Sequence, residues 1–210
     1  GCERDPEQAQ RTNSVGAINV ARSCLRAQAH LTHISTDYVF DGRKGAPYTE
    51  DDMPSPVQTY GRTKLDGERA VLDARVRACV MRTSWLYELD RPAGFVAAVL
   101  RRAEAGEPFD VVADQIGTPT TTAVAARACL ELIEHRMEGL VHRAGTEHMS
   151  RAEFARRVLA EAGLDPSLVR ETKTPPPGPG QARRPANTSL ESVRPTIHRG
   201  PAGLAEGCDC

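Results

Sequence analysis

With 210 residues, the chain is long enough for one large domain or for a domain with a small lobe. Its 40% hydrophobic and 26% charged residues are ordinary for a water-facing globular protein. A net charge of -1 excludes a strong electrostatic pull toward nucleic acid or an anionic membrane, and no apolar run approaches the roughly 18 residues needed to cross a bilayer.

The first residues, Gly1-Cys2-Glu3-Arg4-Asp5, show neither an initiator Met nor a signal peptide, so a partial chain in a reducing cytoplasm is expected. A helix follows, with Asp5 as its cap and Pro6 in its first position. Ala17, Ile18, Ala21, Cys24 and Leu25 recur at helical spacing and predict one buried face. His30 to Ser35 reads as a short strand. From Thr36 to about Gln58 runs a loop rich in Gly, Pro and Asp, and a structureless stretch of that length in a compact domain is usually functional. Next come a helix from about Thr59 to Ala74, a strand at Ala78 to Met81, a helix near Ala93 to Ala105 and a strand at Phe109 to Ala113. The helix from Ala123 to Glu134 carries Ala126, Cys129, Leu130 and Ile133 on one stripe, and Leu140 to His142 is a short strand. A last amphipathic helix presents Phe154, Ala155, Val158, Leu159 and Ala162, capped by Ser150 with Glu153 three residues on. Strands alternating with helices predict an α/β sheet of parallel strands. Pro175 to Gly180 reads as a linker or surface loop, and the residues beyond it show little periodicity.

Two chemical constellations stand out. Cys24, Cys79 and Cys129 sit in apolar patterns and read as buried free thiols; Cys208 and Cys210 form a tail pair with no matching second pair, and the six histidines lack paired spacing, so no metal site is expected. Tyr60 and Lys64 stand four residues apart and share a helix face. A free tyrosine exchanges protons poorly at neutral pH, and a nearby cation is expected to lower its pKa, giving a general acid for a carbonyl being reduced. Many surface helices place Tyr and Lys at this spacing by chance. Context sharpens it. The strand ending in the hydroxyls of Ser35 and Thr36, and the strand followed by Trp85 and Tyr87, both open toward the rim where ligands of open α/β sheets gather.

Four blocks then carry a resemblance: HISTDYVFDG at 33–42, PYTEDDMPSPVQTYGRTKLDGE at 47–68, RTSWLY at 82–87 and VVADQIGTPT at 111–120. In order and spacing, from about Asp5 to Leu190, they resemble the dTDP-4-dehydrorhamnose reductase family of extended short-chain dehydrogenases/reductases. The resemblance implies a Rossmann-like doubly wound parallel sheet, incomplete at its N-terminus, with a small C-terminal substrate-binding lobe. It divides the chain into 1–145, a partial NAD(P)-binding domain, and 146–210, a substrate-binding segment with the Pro-rich loop 174–180. It implies NADPH-dependent reduction of dTDP-4-dehydrorhamnose, with NADH as the other candidate cofactor. Thr36, Tyr60 and Lys64 become the catalytic residues; Ile34, Tyr60 and Lys64 line the cofactor; Thr36, Asp37 and Trp85 contact the substrate. A nucleotide sugar is the expected partner, with a homodimer and a Mg ion left open. Trp85 also reads as core filler, Tyr38 and Phe40 as loop packing, and Arg183-Arg184 as a solvated basic pair or a diphosphate contact.

The pattern departs from the family in two places. No Gly-rich strand-turn-helix occurs, so about two βαβ units are expected to be missing, with the strand at Leu31 left as an edge and NADPH bound poorly. After Trp85, Glu88 follows Tyr87 where the family commonly has Gly, and Gly94 precedes Phe95. Two other readings share these motifs: a non-catalytic relative such as the beta subunit of methionine adenosyltransferase, and a reductase or epimerase of another nucleotide sugar.

Overall fold

In a computed structural model that describes residues 1–90 and 92–194, the chain starts with α1 (Pro6–Gln10), capped by the Asp5 side chain, which accepts from the Gln8 amide. One π-helical turn at Arg11–Val15 joins it to α2 (Gly16–Arg26). Then come β1 (Leu31–Thr36), a short 3-10 turn at Asp37–Val39, and α3 (Thr59–Asp73). Next are β2 (Ala78–Thr83), β3 (Leu86–Tyr87), α4 (Gly94–Glu104), β4 (Phe109–Val112), β5 (Ile116–Gly117), β6 (Thr120–Thr121) and α5 (Thr122–Glu134). The described residues close with β7 (Gly139–His142), β8 (Met149–Ser150), α6 (Arg151–Glu161) and β9 (Val169–Thr172). The cysteine pair at 208 and 210 lies outside the described residues.

The central sheet is parallel, in the order β1-β2-β7, with Leu31 opposite Ala78 and Cys79 opposite Gly139. Its middle strand β2 is buried along its whole length, as an apolar run covered on both faces should be. Among the described residues β1 pairs only with β2, so it lies at the edge of this sheet. On one face, Ala17 and Ala21 of α2 and Val71 of α3 pack on Ala78 and Val80. On the other, Ala128 and Leu132 of α5 pack on Cys79, Met81 and Val141.

A second apolar cluster lies apart from this sheet. Tyr87, Val96, Val99, Phe109, Phe154, Val158 and Val169 bury one another there, and β4 pairs in parallel with β9. This cluster draws α4 and β4 from before residue 145 and α6 and β9 from after it. The strand at Phe109 therefore serves the smaller lobe rather than the central sheet.

Three predicted faces need correction. In α2 only Ala17 and Ala21 are buried, Ile18 and Cys24 are half-buried, and Leu25 is exposed. In α5 the buried stripe is Ala125, Ala128 and Leu132; Ala126, Leu130 and Ile133 face outward and Cys129 is half-buried. In α6 Phe154, Ala155, Val158 and Leu159 are buried as predicted, under the Ser150–Glu153 capping box, whereas Ala162 is an exposed cap. Of the thiols, Cys79 is buried, and Cys24 and Cys129 are half-buried; all three are free.

Candidate active site

The site grows from the junction of β1 with α3. Parallel strands end at one rim, and β1 delivers Ile34, Ser35 and Thr36 there. Thr36 caps the turn that follows: its hydroxyl accepts from the Tyr38 amide at 3.2 Å and donates to Asp37 Oδ1 at 3.1 Å. Helix α3 starts two residues before Gly61, whose missing side chain lets the helix approach the Tyr38 carbonyl; a Cβ there would stand 2.0 Å from that oxygen. The close approach brings Tyr60 beside Thr36 and Tyr38, with the two tyrosine rings edge to face at 6.2 Å.

Thr36, Tyr60 and Lys64 are thereby brought together. Burial pushes the Tyr60 phenol above its ordinary pKa; a hydrogen bond with Thr36 works against this and the Asp37 carboxylate adds to it. One turn along, the Lys64 ammonium donates to the Ile34 carbonyl at 2.6 Å, and burial lowers its pKa while Glu68 opposes that. The expectation that Lys64 lowers the Tyr60 pKa is thus corrected: desolvation dominates at the phenol, and the ammonium is engaged with the β1 backbone. A raised pKa keeps the phenol protonated at neutral pH, which suits a proton donor.

Asp37 sits lower than a direct ligand contact would. It is 3% exposed, and its carboxylate accepts from Thr36, from Ser84 at 3.0 Å and from Thr188 at 2.5 Å. Burial raises its pKa and the three hydroxyls oppose that. Ile34 is half-exposed on the strand edge. Trp85 adopts a left-handed backbone with φ 43°. Its ring lies against Gly117, where a Cβ would meet it at 2.2 Å, and the Arg151 guanidinium stacks 3.4 Å from its centre. Tyr87, read as a second rim aromatic, instead fills the smaller lobe against Phe154. Phe40 is fully buried, stacked on Tyr48, so it packs the loop.

Tyr60 faces a cleft of about 920 Å³. Residues 1–4, Tyr38, Gln58, Tyr60, Gln115, 174–177 and 180–184 line it. Arg183 and Arg184 are therefore lining residues, and Arg184 donates to the Tyr38 hydroxyl at 3.2 Å. Arg4 joins them. Three guanidinium groups and a phenol thus line the cleft, which suits an anionic ligand. Among the described residues no group of three or more His, Cys, Asp or Glu could hold a metal ion, and no helix is long and apolar enough to cross a membrane.

Sequence reasoning missed Gln58, Ser84, Arg151 and Thr188. Ser84 lies within a recognised block, and Arg151 follows a visible helix cap. Thr188 reaches Asp37 from 151 residues away, which no local pattern encodes.

Comparison with known proteins places this geometry. The chain is 42% identical over 197 residues to the dTDP-4-dehydrorhamnose reductase of Mycolicibacterium smegmatis, covering 91% of this chain and 59% of that protein. It is 40% identical over 209 residues to that of Mycobacterium tuberculosis, covering 97% and 67%. A crystal structure of the Bacillus anthracis dTDP-4-dehydrorhamnose reductase in complex with NADP superposes with a TM-score of 0.83 at 34% identity, over 90% of this chain and 66% of that one. A Clostridium acetobutylicum counterpart gives 0.82 at 34%, over 90% and 66%. The chain thus spans about three fifths to two thirds of the length of these relatives, and its α/β architecture is that of the Rossmann-like reductases. The profile of the RmlD substrate binding domain matches residues 1–198, and the chain belongs to that family, the family of the dTDP-4-dehydrorhamnose reductases.

Proposed function

We propose that the protein reduces the C4 ketone of dTDP-4-dehydrorhamnose to give dTDP-rhamnose, with NADPH as reductant, in the cytoplasm. One observation carries this: the Tyr60 phenol, hydrogen-bonded to Thr36, faces a cleft lined by arginines, with Lys64 one helical turn behind it. Thr36 holds the ketone oxygen. Tyr60, kept protonated by burial, delivers its proton to that oxygen as negative charge develops there. Arg4, Arg183 and Arg184 line the cleft and offer charge to the diphosphate. Asp37 orients Thr36 from below, and Trp85, held by Arg151, presents its remaining edge to the sugar.

The residues fit the nicotinamide end of the cofactor. Lys64 stands at the end of β1, and the Ser35 and Thr83 hydroxyls near the same strand ends are buried without a partner. Ile34, Tyr60 and Lys64 would hold it, and when bound it supplies the hydride. Similarity also extends to a dTDP-4-keto-6-deoxy-D-glucose reductase of Streptomyces niveus, 38% identical over 75% of this chain, which keeps a related sugar as the second candidate substrate. No observation favours the non-catalytic alternative.

The test is NADPH oxidation with dTDP-4-dehydrorhamnose, carried out on the full-length protein. Tyr60→Phe is expected to lower kcat by at least about 100-fold with an unchanged melting curve. Retention of full rate by that variant would remove Tyr60 from the reaction.

A further inference from the structure

Tyr38 is a second phenol at the cleft, and the partners around its hydroxyl leave its proton without an acceptor. Its backbone is fixed: the amide donates to the Thr36 hydroxyl at 3.2 Å, and Gly61 of α3 packs directly against its carbonyl. Its ring stands edge to face with Tyr60 and lines the cleft beside it. The Arg184 guanidinium donates to Tyr38 Oη at 3.2 Å and lies 5.6 Å from the ring centre, and this contact is exposed. Arg151 is the second guanidinium at the same phenol: burial lowers its pKa, and the charge and hydrogen bonding of Tyr38 oppose that. Arginine carries donors only, so neither neighbour can take the phenol's proton. Among the described residues, the hydroxyl accepts from Arg184 and donates to no protein group. Packing alone asks for no hydroxyl, as Phe40 two residues on shows, fully buried and stacked on Tyr48.

We infer that Tyr38 is a further binding residue whose hydroxyl donates to a phosphate oxygen of the ligand, alongside Arg184. This rests on the nucleotide-sugar reading of the cleft. The chemistry selects the group. Tyr38 and Arg184 both line the cleft, and the phenol O–H and the guanidinium N–H groups not spent on Tyr38 are all donors. Their complement is a group with several acceptor oxygens on one centre and a negative charge. A phosphate supplies that, and a single sugar hydroxyl does not. Arg4 and Arg183 line the same cleft and add to its positive charge. With 6.2 Å between the two ring centres, Tyr38 and Tyr60 divide the ligand between them, phosphate at one and carbonyl at the other.

Tyr38→Phe keeps the ring beside Tyr60 and deletes the hydroxyl. Calorimetric titration with dTDP compares the full-length wild type and variant, and steady-state reduction of dTDP-4-dehydrorhamnose gives kcat and KM for each. Melting temperatures are measured without ligand. The expected variant melts as the wild type does, binds dTDP about tenfold more weakly, and raises KM by a similar factor with little change in kcat. Unchanged affinity for dTDP overturns the inference and returns Tyr38 to loop packing. A lower melting temperature with loss of kcat makes the hydroxyl a strut for Tyr60 and also overturns it. A wild type that binds dTDP but reduces no dTDP-4-dehydrorhamnose removes the proposed reaction, and the dTDP titration still decides the role of Tyr38. A wild type that binds no dTDP overturns the nucleotide-sugar reading and the inference with it.

Discussion

At the scale of single residues, burial sets the chemistry more than local charge does. Tyr60 and Lys64 lie one helical turn apart, yet the phenol titrates above its ordinary range, because removing a phenolate from water outweighs distant charge. His33 shows the same effect with a measurable consequence. It lies between the charges of Lys64 and Glu68, its Nε2 is buried without a partner, and burial lowers its pKa from 6.5 to about 4. A depressed folded-state value means that the fold favours neutral histidine. The stability it contributes is present above pH 6.5 and is lost as pH falls toward 4. The loss is on the order of 2–3 kcal/mol at most. Thermal melts across that window should show the wild type losing more stability than His33→Leu; parallel slopes would place the acid sensitivity elsewhere. The Tyr-Lys pair was legible from spacing plus the flanking blocks. The withdrawal of Asp37 beneath the site was not, since its partners Ser84 and Thr188 arrive from distant segments.

At the scale of elements, α3 is the part on which the site turns. Gly61 and Gly67 allow it to approach the Tyr38 carbonyl and the Asn13 carbonyl, where added Cβ atoms would stand at 2.0 Å and 2.2 Å. Backbone, rather than a flexible side-chain end, blocks both positions. Gly61→Ala should therefore push α3 and the Tyr38 turn apart, destabilising the protein by about 1–3 kcal/mol and displacing Tyr60 from Thr36. Arg69→Ala, on the exposed face of the same helix, should stay within about 0.5 kcal/mol. Chemical denaturation of the two variants checks this, and equal stabilities would refute the tight-approach account. Element positions were legible, because apolar periodicity, the Asp5 cap and the Ser150–Glu153 box are local signals. Which stripe of α5 faces the sheet was not legible. Ala126-Leu130-Ile133 and Ala125-Ala128-Leu132 are both apolar, and only the packing of Ala128 and Leu132 on Cys79, Met81 and Val141 shows which is buried.

At the scale of the whole molecule, a buried charge network joins α3 to the sheet and to residues 192–193. Glu68 of α3 and Arg82 of β2 form a bidentate pair, each side chain 2% exposed, with Arg82 Nη2 to Glu68 Oε2 at 2.6 Å. Arg82 also lies over Phe40 and within 3.5 Å of His142. The His142 amide donates to Glu50 at 2.7 Å, and Glu50 in turn accepts from Ser192 and Val193. Removing one partner strands a buried charge. Arg82→Met should cost about 3–5 kcal/mol, and adding Glu68→Leu should recover most of it, because two apolar side chains of similar volume tolerate burial. Urea unfolding of the single and double variants reads the difference, and a double variant no more stable than the single would show that the pair is not an isolated unit.

The sequence by itself determined the order of the main helices, the three parallel strands of the central sheet and the family, since caps, periodicity and motif blocks are all encoded within a few residues of one another, whereas the short strands β3, β5, β6 and β8, and β9, gave no local signal. Tertiary structure alone decided which helix faces are buried, that Phe109–Val112 joins Val169–Thr172 in a separate lobe, and that Gln58, Arg184 and Asp37 take their places around Tyr60. The reason is physical. Burial, and with it every pKa shift and every unpaired donor, depends on contacts between residues far apart in the chain, and those contacts exist only once the backbone has closed around them.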